Sequence, residues 1–173
     1  MNQKLSNICS QKINEFSFQP LKKTDLPLLF DWLALPHIAE WWRESRDWEI
    51  FSKKYIPKIT APDIQQVFII RDGKRIGYIH SYEDPGKIFG LDLFIADTES
   101  LGKGYSVPLI KQFIHQFILP LGPKKIGIDP EITNVRAIHV YEKVGFKKTH
   151  VGQTTDGTKM VIAQFMELDP KTL

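Results

Sequence analysis

Two short runs joined by a tight turn constrain the fold of this chain more than any other feature. Residues 67–71 and 76–82 are apolar or alternate between apolar and polar side chains, and Asp72 and Gly73 between them form a strong turn pair. This pattern predicts an antiparallel hairpin. A second turn at residues 84–86 leads into an apolar run at 88–96. The middle of the chain is therefore predicted to be a three-stranded meander.

Strand and helix signals surround this meander on both sides. Before the meander they predict a strand near 16–20, a helix capped by Thr24 or Asp25 and carrying 26–33, a short helix from Pro36, and a helix over about 47–56 that ends before Pro57. After the meander they predict a helix from Gly104 to 118, a strand at 124–129, a helix at 133–144 stopped by Gly145, and strands near 146–151 and 160–168. The order predicts a single α/β domain over residues 15–169, after an N-terminal tail of residues 1–14. Its sheet would be mixed but mostly antiparallel, with helices on both faces.

Composition excludes several classes of protein. The 173 residues are 42% hydrophobic and 25% charged, a composition typical of globular proteins. A net charge of +3 with both signs mixed along the chain is too weak for a nucleic-acid-binding surface. A single cysteine cannot form an internal disulfide, and no run reaches the roughly 18 apolar residues that cross a bilayer. No zinc pattern is present. We expect a cytoplasmic protein without a metal, a nucleic-acid partner or a membrane partner.

The segment Leu101, Gly102, Lys103, Gly104, Tyr105, Ser106 is the most informative candidate site, because it joins a predicted strand to a predicted helix. Two glycines let backbone N–H groups approach an anion, and the helix N-terminus adds positive potential, so a pyrophosphate is the natural ligand. The alternative is an ordinary glycine-rich turn. Walker A and dinucleotide-binding loops are excluded, because Gly104 follows Lys103 and Val107 stands where a third glycine is needed.

The predicted helix at 133–144 carries a second candidate pair. Asn134 and Tyr141 fall on roughly one helical face, so an amide that can bind a ligand shares a side with a phenol that can donate a proton. The alternative for Tyr141 is a half-buried packing residue.

Together, the strand, the Gly102–Gly104 loop, its helix, the next strand and a helix bearing Asn134 and Tyr141 before Gly145 resemble the GCN5-related N-acetyltransferase (GNAT) superfamily. The resemblance implies that the loop backbone holds the pyrophosphate of acetyl-CoA as co-substrate. It further implies that neighbouring strands separate around the pantetheine arm and that Tyr141 protonates the departing thiolate.

A narrower likeness is to the aminoglycoside 6'-N-acetyltransferases. It lies in PHIAEWW at 36–42, IGYIHSY at 76–82, GLD at 90–92 and DPEITNVRAIHVYEKVGF at 129–146. A sister branch that acetylates hydroxylysine tends to carry histidine where this chain has Asp92, which favours an amine acceptor of aminoglycoside type. The aminoglycoside enzymes carry an acidic insertion where this chain has a short connection at 82–90. A siderophore precursor or a polyamine therefore remains an alternative acceptor.

The chemistry of amine acetylation indicates the remaining candidates. An amine attacks a thioester only when deprotonated, so Asp92 is the expected proton acceptor or substrate ligand. Glu40, beside Trp41 and Trp42, would bind a cationic acceptor through charge and indole faces, and Asp129 could add acid. The alternatives are an ordinary strand carboxylate and a packed surface helix. We expect an N-acetyltransferase that acts by direct attack, as a monomer or a homodimer; the alternative is a non-catalytic acyl-CoA-binding module.

Overall fold

The turn at Asp72 and Gly73 joins two long antiparallel strands. Both residues have positive φ angles, 49° and 75°, as a tight hairpin turn of the primed type requires. The computed structural model describes residues 15–156 and 159–173. The strands of the described chain are β1 (Ser17–Pro20), β2 (Ile64–Arg71), β3 (Lys74–Asp84), β4 (Ile88–Ile95), β5 (Lys125–Ile128), β6 (Lys147–Asp156) and β7 (Lys159–Leu168).

These strands form one sheet in the order β1-β2-β3-β4-β5-β7-β6. Neighbours run antiparallel except β4 and β5, which pair in parallel through three residues of each strand. The prediction of a mixed, mostly antiparallel sheet is therefore confirmed. The tail predicted for residues 1–14 lies outside the described residues, and the domain boundaries at 15 and 169 stay a prediction.

Helices cover both faces of the sheet, as predicted. They are α1 (Leu26–Trp32), α2 (Pro36–Ala39), α3 (Trp48–Ile59), α4 (Ser106–Phe113) and α5 (Val135–Val144). The first three pack over one face, against buried Phe68, Tyr78 and Phe94. The last two pack over the opposite face. Because successive strand residues point to opposite faces, the apolar strands of the meander contribute side chains to the hydrophobic cores on both faces of the sheet.

Helix α3 is longer than the sequence predicts. It begins where expected, because the Asp47 carboxylate accepts hydrogen bonds from the backbone N–H groups of Glu49 (2.8 Å) and Ile50 (3.0 Å). The expected end before Pro57 is wrong, since the helix continues to Ile59. Pro57 lies in the last turn, where it removes one hydrogen bond, and Ile59 packs beside the core beneath the helix.

Other boundaries also differ from the sequence prediction. Helix α4 begins at Ser106 rather than at Gly104, and a π-helical turn over Ile114–Ile118 follows it. Helix α5 begins at Val135, because the Asn134 side chain accepts a hydrogen bond from the Ala137 backbone and caps it. Strand β6 extends five residues beyond Val151, paired along its length with β7. None of the described helices is long and apolar enough to span a membrane.

Gly77 provides a test of how closely β3 and β4 pack. An added Cβ there would lie 2.3 Å from the Phe94 carbonyl oxygen, which belongs to the backbone and cannot rotate away. We expect Gly77→Ala to lower the free energy of unfolding by roughly 1–3 kcal/mol, measured by urea denaturation.

Gly127→Ala is the matched control, because a Cβ at that strand position meets no atom closer than 4.0 Å. It should be neutral or slightly stabilising, since alanine restricts the unfolded chain. Equal losses in both variants would contradict the packing argument.

Candidate active site

The site begins where β4 and β5 separate. Their parallel pairing ends at Gly90 and Gly127, yet β4 continues to Ile95 while β5 stops at Ile128. Each strand places an aspartate two residues beyond its glycine, Asp92 on β4 and Asp129 directly after β5. Because side chains alternate along a strand, the two carboxylates belong to the same face of the sheet. The gap between the strands is thus bordered by acid on both sides.

A cavity of about 810 Å³ occupies this opening. Strands β3, β4 and β5 contribute to its walls, together with α2, α3, α5 and the segments that follow α2 and β5. This is the size range of pockets that enclose small molecules. Glu131, which lines the cavity after β5, forms an ion pair of 2.9 Å with Arg43 in the segment that follows α2.

Polar aromatic side chains on β3 line one wall. Tyr78, His80 and Tyr82 are alternate residues and therefore share a face. The Trp42 ring packs edge-on against two of them, with centroids 6.0 Å from Tyr78 and 5.5 Å from His80. The Tyr78 hydroxyl donates a buried hydrogen bond of 2.7 Å to Gln66. This wall is rigid, and it offers ring faces to the cavity.

His80 and Asp92 are cross-strand partners. His80 Nε2 lies 3.5 Å from Asp92 Oδ2, and His80 Nδ1 has no hydrogen-bond partner in the described part of the chain. Burial lowers the pKa of His80 to about 3, and the positive charges of Lys58 and Lys54 add to this effect. The imidazole is therefore neutral at physiological pH. It can orient the Asp92 carboxylate without neutralising it.

Tyr141 projects from α5 into the same cavity and packs edge-on against Phe146. Burial raises the pKa of its phenol above the ordinary value, and the carboxylates of Asp92 and Asp129 raise it further. The phenol consequently holds its proton firmly. Burial also raises the pKa of Asp129, while a hydrogen bond with Thr154 opposes that rise.

The glycine loop has the geometry of an anion cradle. Gly102 and Gly104 have φ angles of 74° and 79°, a region that suits glycine, and an added Cβ would meet no atom within 4 Å at either position. Helix α4 begins directly afterwards with no side chain capping its first N–H groups. These features fit the pyrophosphate of a coenzyme A thioester, and the gap between β4 and β5 fits its arm.

The structure brings eight of the twelve predicted site residues to one cavity. They are Glu40, Trp41, Asp92, Leu101, Ser106, Asp129, Asn134 and Tyr141. Gly102, Lys103, Gly104 and Tyr105 do not line it. The Tyr105 ring instead stacks against the Arg71 guanidinium, whose Cζ atom lies 3.6 Å from the ring centroid. Asn134 uses its carbonyl oxygen to cap α5, which leaves its NH₂ group for a ligand.

Several cavity residues were missed by the sequence reasoning. Helix α3 contributes Lys54, Tyr55 and Lys58, whose i, i+1, i+4 spacing is a signal of one helical face. The alternation of Tyr78, His80 and Tyr82 is a similar signal for a strand. Neither spacing shows by itself whether that face of the helix or strand borders a cavity.

Glu44 connects α3 to the segment after α2. Its carboxylate accepts hydrogen bonds from the Lys54 ammonium (2.5 Å) and the Tyr55 hydroxyl (3.1 Å), and its side chain is only 5% exposed. A buried carboxylate with two donors is satisfied and holds its partners in place. Glu44 therefore fixes the α3 wall of the cavity.

Comparison with known proteins agrees with this geometry. The family model described as "Acetyltransferase (GNAT) domain" matches residues 22–154. The aminoglycoside N(6')-acetyltransferase type 1 of Klebsiella pneumoniae is 28% identical over 183 residues, which cover 96% of this chain and 90% of that protein. The N-hydroxyputrescine acetyltransferase of Acinetobacter baumannii is 25% identical over 131 residues, covering 69% of this chain and 61% of that protein.

A solved structure agrees as well. AAC(6')-Ib in complex with paromomycin and acetyl-CoA superposes with a TM-score of 0.79 at 27% identity, covering 91% of this chain and 95% of the other. The chain thus belongs to the GNAT acetyltransferase family, as the sequence resemblance implied. It is an acetyl-CoA-dependent N-acetyltransferase.

The low pKa of His80 predicts a specific acid sensitivity. Below pH 6.5 the unfolded chain binds a proton at His80, whereas the folded chain does so only near pH 3, so stability falls as the pH falls through this window. Between pH 7 and pH 5 this one residue should lower the free energy of unfolding by about 2 kcal/mol. His80→Gln should remove that part of the loss, measured by urea denaturation at both pH values.

His115→Gln is the control, because His115 is exposed and does not line the cavity. This variant should show the same difference in the free energy of unfolding between the two pH values as the wild type. If His80→Gln also left it unchanged, His80 would titrate normally in the folded protein.

Proposed function

We propose that this enzyme acetylates a primary amine of an aminoglycoside-type polycation by direct attack on acetyl-CoA. The observation that supports this most is the juxtaposition of acid and aromatic faces where β4 and β5 separate, next to the glycine loop. Ammonium groups are bound well by carboxylates and by ring faces together. The Klebsiella relative, whose name states aminoglycoside N(6')-acetylation, supports the same acceptor.

Binding is divided between the two ends of the site. We propose that the backbone of Leu101 to Ser106 holds the pyrophosphate, with Lys103 adding charge and the Asn134 amide group contacting the pantetheine arm. Bound acetyl-CoA supplies the acetyl group as a thioester. Asp92, Asp129, Glu40 and Trp41 would bind the acceptor from the opposite side of the gap.

Two residues would move the protons. Asp92 accepts the proton of the acceptor ammonium, directly or through water, so that the neutral amine can attack. Its side chain is 45% exposed, and the neutral His80 ring lies beside it, with Nε2 3.5 Å from Asp92 Oδ2. Tyr141 gives its proton to the leaving thiolate, and its raised pKa keeps it protonated until then.

Other acceptors are a second candidate. The match to the N-hydroxyputrescine acetyltransferase supports a small diamine or siderophore precursor such as hydroxylysine. The short turn between β3 and β4, at residues 85–87, leaves the cavity without an extra acidic segment that would favour a large polycation. We further propose that the enzyme acts in the cytoplasm, as a monomer or homodimer.

Tyr141→Phe tests the proposed acid. The variant retains the packing against Phe146 and loses the proton, so turnover should fall by roughly 10²- to 10⁴-fold while acetyl-CoA affinity stays nearly constant. Release of free CoA thiol and calorimetry would measure the two quantities. Gly104→Val is the contrasting variant, because its strained backbone should weaken acetyl-CoA binding. An undiminished rate in Tyr141→Phe would exclude the assignment.

Asp92→Asn tests the acceptor side with a panel of aminoglycosides, spermidine and hydroxylysine. The substitution keeps the shape and removes the charge, so it should raise KM, lower kcat or do both, without changing acetyl-CoA affinity. Wild-type acetylation at the 6'-amine of an aminoglycoside would support the proposed acceptor. Turnover of spermidine or hydroxylysine alone would reject that acceptor while retaining the acetyltransferase activity.

A further inference from the structure

Helix α3 presents two ammonium groups to a cavity that also contains several carboxylates. Lys54 and Lys58 are four residues apart and both line the cavity. Their Nζ atoms lie 5.8 Å and 5.7 Å from the centroid of the Tyr55 ring between them. Residues at i and i+4 share one side of a helix, so these charges form a single basic wall.

The two lysines are in different electrostatic situations. The Lys54 ammonium is paired with the buried Glu44 carboxylate at 2.5 Å. Lys58 is half-buried, and within the described residues no carboxylate lies inside 4 Å of its ammonium. Burial lowers the pKa of Lys58, and Lys54 lowers it further, while Glu44 and Asp92 act in the opposite direction. Within the described part of the chain, Lys58 is therefore an ammonium of the cavity wall that is affected by the charge of Asp92 but has no ion-pair partner.

An ammonium has three N–H donors and no acceptor, so a ligand group beside Lys58 must provide an oxygen lone pair. A second ammonium at that position would be repelled by Lys58. Carboxylates that could stabilise an acceptor ammonium come instead from other elements of the wall: Asp92 on β4, Asp129 after β5 and Glu40 after α2. The ammonium groups of α3 and these carboxylates thus face the acceptor from different elements.

We propose that Lys58 is a specificity-determining residue of the cavity. It selects acceptors that place an oxygen atom, from a hydroxyl or a carboxylate, toward α3, and it rejects acceptors that place an amine there. The inference rests on the proposed function, because it assigns the orientation of the acceptor within the same cavity. An aminoglycoside would bind with its reactive amine toward Asp92 and a sugar hydroxyl toward Lys58. An amino acid acceptor would place its carboxylate at the same point.

The size of the effect follows from the interaction of two unit charges. At about 4 Å in bulk water they interact by about 1 kcal/mol, and by more in a partly desolvated cavity. Exchanging an oxygen for an ammonium beside Lys58 should therefore change kcat/KM by about fivefold or more. The change should disappear when the ammonium of Lys58 is removed.

Two matched pairs of acceptors test this proposal. The first pair is the two kanamycins that differ only in a hydroxyl or an amine at position 2' of the ring bearing the 6'-amine. The second is lysine and cadaverine, which differ only in a carboxylate. Values of kcat/KM would be measured for the wild type, Lys58→Met and Lys58→Arg, with dissociation constants from calorimetry in the presence of CoA. Lys53→Met is the control, because Lys53 lies on the outer side of α3, paired with Glu49 and 74% exposed.

We expect Lys58→Met to favour the 2'-amine over the 2'-hydroxyl kanamycin, and cadaverine over lysine, by about fivefold relative to the wild type. Lys58→Arg and Lys53→Met should keep the wild-type ratios. Ratios that change by less than twofold in Lys58→Met would overturn the proposal. If the wild type acetylates neither kanamycin, the proposed acceptor fails, and the lysine and cadaverine ratio still decides the role of Lys58. Absence of binding by all four compounds would overturn both proposals.

Discussion

The separation of β4 from β5 is the constraint on which the rest of this structure depends. Two parallel strands that remained paired would bury their backbone hydrogen bonds and leave no opening in the sheet. Here pairing stops at Gly90 and Gly127, and the same separation creates the cavity and places an aspartate on each of its borders. The glycine loop follows β4, so the anion cradle and the acidic border are fixed by one strand.

The wall opposite the separation must be rigid for the carboxylates to keep their positions. Trp42 and the alternate aromatic residues of β3 provide this, since their rings pack against one another. The burial that makes the wall rigid also keeps His80 neutral. A charged imidazole beside Asp92 would have competed with the acceptor ammonium for the carboxylate. Packing and electrostatics at His80 therefore both keep the Asp92 carboxylate available to the acceptor.

The sequence was sufficient for the parts of the fold that depend on local signals. The Asp72–Gly73 turn, the start of α3 near Asp47 and the glycine loop are short-range patterns, and each predicted element lies close to its expected place. The course of α3 was not predictable in the same way, because tolerance of Pro57 depends on where the helix ends and on what lies beneath it. The α3 wall was missed for a related reason. Whether Lys54 and Lys58 face water or a cavity depends on the tertiary position of the helix, and their spacing alone is compatible with both.

The balance of charge in the cavity explains how an acceptor could be bound and deprotonated in one place. Burial raises the pKa of Asp129, so its charged form is less favoured than that of an aspartate in water. An acceptor ammonium would lower that pKa again, because an opposite charge stabilises the carboxylate. Asp92 lies on the opposite border and is more open to the cavity, with 45% of its side chain exposed. Asp129 is thus suited to holding an ammonium, and Asp92 is suited to passing the ammonium proton to water. Lys58 prevents a further ammonium from binding beside α3.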